Sequence, residues 1–161
     1  MELTTQQCNE SMSTVTNVLL FEDDYLEIKN AIERLHSLFA GVTGINAGNI
    51  TDQDIYLPSG KAVSTIKAAH CLKELERTRR FVRGIYHAIN HLLDTIPGNI
   101  INILYAGCGP YGTLLTPLTS QFTAAQVNFI LLDINPDSLE AAKVLYEKLD
   151  LLDYVVDFVC A

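Results

Sequence analysis

The second half of the chain alternates short apolar runs with stretches of helical character. Apolar runs at 100–106, 127–133 and 154–160 have the length of buried strands, and the stretches between them, 112–121 and 136–149, are predicted to be helices. Strands that alternate with helices form parallel sheets through right-handed crossovers. The pattern therefore predicts a β-α-β-α-β unit with a parallel sheet.

The first half of the chain lacks this alternation and is predicted to be mostly helical. Apolar residues recur at helical spacing over 22–40, and a longer helical pattern covers 62–93, with a bend expected near Gly84. Between these helices, 41–60 is rich in Gly, Asn and Asp and is predicted to be a loop. Residues 1–17 are expected to be frayed or weakly ordered.

These patterns together predict an α/β fold. A helical N-terminal region, 1–98, precedes a truncated doubly wound (Rossmann-like) parallel sheet, 99–161. The length of 161 residues and the apolar content of 48% are sufficient to bury a core.

Composition narrows the choice of environment and partners. The net charge of −8 argues against non-specific binding to nucleic acid, which requires clustered Lys and Arg. The N-terminus lacks the pattern of a signal peptide, and no apolar run approaches the roughly 20 residues of a bilayer span. The four cysteines are scattered and are best interpreted as free thiols. A cytoplasmic protein without membrane contact is therefore predicted.

A glycine turn follows the first predicted strand. The run that ends at Ala106 breaks into Gly107, Cys108 and Gly109, where the absence of side chains on the glycines lets the backbone turn tightly beside a ligand. The next apolar run ends in Asp133, whose carboxylate is suited to bind a pair of ribose hydroxyls. Strand, glycine turn, helix, strand and terminal acid together predict a cradle for a nucleoside-containing ligand.

The two segments L-Y-A-G-C-G-P-Y-G and L-L-D-I-N-P-D-S-L-E-A-A-K resemble motif I and the following acidic motif of class I S-adenosylmethionine-dependent methyltransferases. The resemblance implies that Gly107, Cys108 and Gly109 line the loop beneath the methionine and ribose of S-adenosylmethionine. It implies that Asp133 binds the ribose and that Ile134 lies near the adenine. Tyr105 stands where the family often has an acid, and contact with the ligand and simple packing both remain open for it.

A further segment, Glu76-Arg77-Thr78, is similar to the helix that precedes motif I in protein arginine methyltransferases. In that family an arginine pairs with the carboxylate of the cofactor, and Arg77 is the matching position. A guanidinium suits this role because it can bind a carboxylate through two parallel hydrogen bonds. The alternative is that Arg77 belongs to a solvated helix face and pairs with Glu74 or Glu76.

The resemblance implies the cofactor-binding N-terminal portion of a methyltransferase, with the methyl acceptor unassigned. The alternative is a non-catalytic nucleotide-binding or protein-interaction module with the same fold. A nicotinamide or flavin dinucleotide is a less suitable ligand, because G-C-G-P-Y-G does not fit G-x-G-x-x-G/A. The family's sheet has seven strands, so the chain alone is expected to be inactive. Its first strand is expected to form a bare apolar edge, so the chain is expected to dimerise across that strand or across the long helix, or to belong to a longer polypeptide.

Two remaining features each allow a functional and a plainer interpretation. Helix-start amides around Cys108 could lower the pKa of its thiol and make it reactive, or Cys108 is simply a small residue beside a ligand. His87 and His91 have the spacing of two metal ligands on a helix. No third ligand accompanies them, so surface histidines are favoured and no metal site is predicted.

Overall fold

The computed structural model describes residues 3–45, 53–58 and 60–161. It contains a three-stranded parallel sheet, a separate two-stranded hairpin and a set of helices. The helices are α1 (Thr5–Phe21), α2 (Tyr25–Thr43), α3 (Thr65–His70), α4 (Leu75–Thr95) and α5 (Pro136–Lys148). The strands are β1 (Ile55–Leu57), β2 (Gly60–Ala62), β3 (Ile101–Ala106), β4 (Val127–Asp133) and β5 (Val155–Cys160).

The main sheet has the order β3-β4-β5 with all strands parallel. Its strand bounds agree with the predicted runs to within one residue, and the predicted α/β class is confirmed. Ile101 lies opposite Val127, and Phe129 lies opposite Val155. β3 therefore forms an edge of the sheet, and β4 lies at its centre.

The two faces of this sheet are unequal. The odd-numbered side chains of β4, from Val127 to Asp133, are buried, whereas the even-numbered ones are only half-buried. On β3 the even-numbered positions are exposed, and Leu104 is 61% exposed. The sheet thus packs against helices on one face and presents partly apolar side chains on the other.

The N-terminal segment forms an ordered helix. The prediction that residues 1–17 are frayed or weakly ordered is therefore wrong for the described residues from Leu3 onward. Thr4 and Gln7 form a capping box, in which each side chain accepts a hydrogen bond from the backbone amide of the other residue. Met12, Val15 and Leu19 are at most 1% exposed. Their helical spacing lets α1 bury an apolar stripe, and this tertiary packing stabilises a segment with many polar residues.

The helix predicted over 62–93 is divided in two, and its break is not at Gly84. α3 passes into a 3-10 turn, Cys71–Lys73, and α4 starts after Glu74, whose ψ of 80° is incompatible with a helix. The hydroxyl of Thr78 donates to the carbonyl of Leu72 at 3.0 Å and so stabilises this corner. Gly84 lies inside α4, which continues to Thr95.

The prediction of an α-helix over 112–121 is also wrong. The chain forms turns there, which lead into a 3-10 helix at Thr116–Ser120. Gly112 has a φ of +52°, and a Cβ there would lie 2.9 Å from the Thr116 hydroxyl. That hydroxyl is also within hydrogen-bond distance of the carbonyl of Tyr111 and of the phenol oxygen of Tyr146, at 2.5 Å and 3.0 Å. These buried side-chain bonds stabilise turns where local pattern favoured a helix.

The prediction of a loop over 41–60 is wrong at both ends, where the structure has a helix and a hairpin. α2 continues through Gly41 to Thr43 and is capped by Gly44, which has a φ of +71°. Near the other end, β1 and β2 form an antiparallel hairpin around Pro58. Positions 46–52 and 59 of this predicted loop lie outside the described residues.

The buried core contains residues from both predicted regions of the chain. It includes Leu35 and Phe39 of α2, Phe129 of β4, and Leu145 of α5. The boundary at 98/99 therefore separates two sequence patterns that share one core, and its role as a domain boundary stays a prediction. Within the described part of the chain, no helix has both the length and the apolar character needed to cross a bilayer.

Candidate functional site

A cavity of about 490 Å³ opens at the carboxyl ends of β3 and β4. Ligand sites in open α/β sheets lie at this end of the strands, and typical sites have volumes of about 300–1,000 Å³. One wall is the turn that follows β3 together with the end of β4. The other walls come from α3, the start of α4 and the β1–β2 hairpin.

The structure brings all the residues that were predicted to contact a ligand to this one cavity. They come from α4, from the turn after β3 and from the end of β4, and they are Arg77, Tyr105, Gly107, Cys108, Gly109, Asp133 and Ile134. The seven predicted residues therefore share one cavity with other lining residues, and their contact with a ligand stays a prediction.

The glycine turn is shaped by left-handed backbone conformations. Gly107 has a φ of +74° and Gly109 a φ of +63°, which side chains other than glycine rarely adopt. The amides of Gly107 and Cys108 both donate to the carbonyl of Leu132, at 2.8 Å and 3.0 Å. The turn is therefore held against the end of β4 by backbone hydrogen bonds, and its glycines place bare backbone at the cavity surface.

Asp133 is fixed between this turn and the start of α5. Its Oδ2 accepts a hydrogen bond from the Gly109 amide at 2.8 Å, and its Oδ1 accepts one from the Asn135 amide at 2.9 Å. The residue is 8% exposed. An ionised carboxylate has about four acceptor positions, so two bonds leave capacity for two further donors. Asp133 is thus a preoriented acceptor at the cavity wall.

Arg77 makes the ion pair with Glu74 that the sequence left open, and its role towards a cofactor carboxylate stays a prediction. It lines the cavity, and its Nη1 donates to Oε2 of Glu74 at 3.1 Å. The Cys71 thiol and the Glu74 carboxylate raise the pKa of the Arg77 guanidinium further, so it is always charged. Its side chain is 53% exposed, and a surface pair at this helical spacing contributes about 0.2–0.5 kcal/mol. A ligand carboxylate in the cavity can therefore compete with Glu74.

Cys108 and Tyr105 are protonated groups on the floor of the cavity. Burial, helped by the nearby Asp133 carboxylate, raises the pKa of the Cys108 thiol to about 12. Burial and the neighbouring Cys108 raise the pKa of Tyr105 to about 12. No helix begins directly after the turn, so Cys108 does not lie at the helix start that was expected to lower its pKa. The structure favours the interpretation of Cys108 as a small residue that lines the cavity.

Sequence reasoning missed the hairpin wall. Leu57, Lys61 and Ala62 line the cavity from β1 and β2, whereas Leu57 was predicted to lie in the loop 41–60 and Ala62 to begin the helix 62–93. The segment contains a signal on one side only: Ile55, Tyr56 and Leu57 favour a strand and precede a Pro/Gly turn, whereas Gly, Lys and Ala of β2 are depleted in strands. Thr78 and Ser138 also line the cavity, and no local pattern distinguishes them from ordinary helix residues.

His87 and His91 are both exposed on α4. Among the described residues, no group of three or more His, Cys, Asp or Glu side chains is arranged to bind a metal ion.

Fold and cavity together define the class: an α/β chain with part of a doubly wound sheet and a ligand-sized cavity at the carboxyl ends of its strands. No protein-family model, no curated protein and no solved structure matches this chain.

Proposed function

We propose that this chain binds S-adenosylmethionine and is the cofactor-binding portion of a methyltransferase, with the methyl acceptor unassigned. The observation that carries the proposal is the arrangement of Asp133. Its carboxylate is bonded to the glycine turn at the edge of a cavity of about 490 Å³ and retains capacity for two hydroxyl donors. We place the protein in the cytoplasm because the described cysteines are free thiols.

The residues around the cavity fit the parts of this cofactor. Asp133 would accept hydrogen bonds from the two ribose hydroxyls, and Arg77 would bind the methionine carboxylate. Gly107 and Gly109 would let the ligand lie directly against backbone, since a Cβ at Gly107 would meet nothing within 4 Å and would extend into open space. Ile134 would contact the adenine, and Tyr105 would contact the ligand from the floor of the cavity.

The glycine turn also favours a ligand without a pyrophosphate. Sites for dinucleotides use free loop amides and the start of a helix to bind phosphate. Here the amides of Gly107 and Cys108 already donate to Leu132, and the amide of Gly109 donates to Asp133. Pro110 has no amide hydrogen, and turns follow it in place of a helix. These features support a sulfonium nucleoside over a nicotinamide or flavin dinucleotide.

S-adenosylmethionine supplies an activated methyl group to a nucleophile, and a protein accelerates this transfer mainly through alignment. The residues of this chain would hold the nucleoside at Asp133, hold the carboxylate at Arg77 and exclude water with Tyr105 and Cys108. Such a mechanism needs no general base from these residues. An acceptor needs a further wall, so we expect this chain alone to bind the cofactor without turning it over.

Calorimetric titration with S-adenosylhomocysteine tests the proposal. Asp133→Ala should weaken binding about 10- to 100-fold, because hydrogen bonds to a charged group contribute about 1.5–3 kcal/mol. Asp137→Ala is the matched control, since Asp137 is an exposed acid in the first turn of α5 and lies outside the cavity lining. Equal affinity of wild type and Asp133→Ala, with the fold intact, would remove the ribose assignment.

The open edge of the sheet favours a second function, a protein-interaction module that forms a homodimer. Among the described residues, β3 pairs only with β4, and Leu104 on β3 is 61% exposed. Unprotected edge strands recruit other chains, and charged side chains oppose this pairing. We expect Leu104→Lys to convert a dimer into a monomer in light scattering, with little effect on the melting temperature. A wild-type protein that is monomeric at high concentration would exclude this function.

A further inference from the structure

The β1–β2 hairpin forms one wall of the cavity without belonging to the main sheet. Ile55 pairs with Ala62 and Leu57 with Gly60, and the two strands make a sheet of their own. A two-stranded hairpin is at best marginally stable in water, so it needs contacts elsewhere to hold its position. Tyr56 is 78% exposed, which shows that little of the outer side of the hairpin is packed.

Asp54 supplies the contacts that connect this hairpin to the rest of the protein. It directly precedes β1, and its carboxylate accepts hydrogen bonds from three groups. Oδ1 accepts from the Ser64 amide at 2.9 Å, both oxygens accept from Nζ of Lys67 at 3.1 Å, and Oδ2 lies 3.0 Å from Nζ of Lys61. The Asp54 side chain is only 7% exposed. One carboxylate therefore joins both strands of the hairpin to the start of α3.

α3 is in turn packed against α5 and the glycine turn. The hydroxyls of Thr65 on α3 and Ser138 on α5 are hydrogen-bonded at 2.9 Å and buried. A Cβ on Gly109 would lie only 3.4 Å from the Cβ of Ala68. A continuous series of contacts therefore connects the hairpin through Asp54 and α3 to the glycine turn.

We propose that Asp54 is a positioning residue, whose carboxylate holds the β1–β2 hairpin against α3 and thereby completes the cavity for its ligand. Asp54 itself is not among the cavity-lining residues. Its effect on a ligand is exerted through Leu57, Lys61 and Ala62, which it holds in the wall. The effect on affinity rests on the proposed function, whereas the effect on the hairpin does not.

Asp54→Asn tests the proposal, because it preserves the shape of the side chain and removes the charge. Hydrogen exchange on the ligand-free protein should show at least 10-fold faster exchange of the 55–62 amides, and trypsin should cleave faster after Lys61. The amides of 101–106 should keep their protection. Asp54→Glu should restore part of the protection, and Lys67→Met should reproduce the loss without altering Asp54. Unchanged exchange of 55–62 in Asp54→Asn would overturn the proposal.

Ligand measurements on the same variants separate the two proposals. We expect S-adenosylhomocysteine to bind Asp54→Asn about 5- to 30-fold more weakly, mainly through faster dissociation, while Asp137→Ala stays at the wild-type value. A loosened hairpin with unchanged affinity would overturn the positioning role. If the wild-type protein does not bind S-adenosylhomocysteine, the proposed function fails. Hydrogen exchange then still decides whether Asp54 holds the hairpin.

Discussion

Two walls of the same cavity are stabilised by different kinds of contact. The glycine-turn wall, 107–109, is held by backbone amides that donate to Leu132 and to the Asp133 carboxylate. The hairpin wall is held through Asp54 by two lysine ammonium groups and one amide. Pairs between lysine and a carboxylate are weakened by salt and by protonation of the carboxylate, whereas the backbone bonds from Gly107 and Cys108 to Leu132 are not. We therefore expect the glycine-turn wall to be the rigid wall of the cavity and the hairpin wall to be the adjustable wall.

The largest effect is expected from a substitution beside the rigid wall. In Gly112→Ala the new Cβ would lie 2.9 Å from the Thr116 hydroxyl and 3.3 Å from the Tyr146 hydroxyl, at a φ of +52°. A left-handed conformation alone costs a non-glycine residue roughly 1–2 kcal/mol. We therefore expect the free energy of unfolding to fall by about 2 kcal/mol or more, measured by urea denaturation.

Gly84→Ala is the matched control for that substitution. Gly84 lies within α4, and a Cβ there would meet nothing within 4 Å. Alanine is favoured over glycine inside a helix by roughly 0.5–1 kcal/mol, so this variant should be slightly more stable than wild type. Equal effects of the two substitutions would contradict the view that the turn is tightly constrained.

The residues of the rigid wall were predicted from the sequence, whereas those of the adjustable wall were not. Strands β3 and β4 are apolar runs of suitable length, and Asn135 accepts a hydrogen bond from the Asp137 amide at 3.0 Å as the N-cap of α5. The glycine turn and the terminal acid are also local signals. Each of these features depends on residues that are close in sequence, so a short pattern is sufficient to identify it.

The hairpin wall depends on side-chain contacts that no single element contains. Asp54 binds Lys61 of β2, Ser64 at the N-cap of α3 and Lys67 of α3, so a pattern within one helix or strand does not predict these contacts. The same reason explains the helix α1, which was missed because Met12 and Val15 are stabilised by burial against distant elements. In both places tertiary contacts override a local sequence that is rich in polar residues.

The smallest effect is expected from pH, and it should affect the adjustable wall first. Lys61, the Ser64 amide and Lys67 lower the pKa of Asp54 from 3.8 to about 2. A carboxyl group with a lowered folded-state pKa stabilises the fold fully above its unfolded pKa, and this contribution is lost as pH falls from about 4 towards 2. The amide resonance of Ser64 should therefore titrate with a midpoint near 2. Asp54→Asn should abolish that titration, and a midpoint near 3.8 in the wild type would show that the carboxylate is not held by these groups.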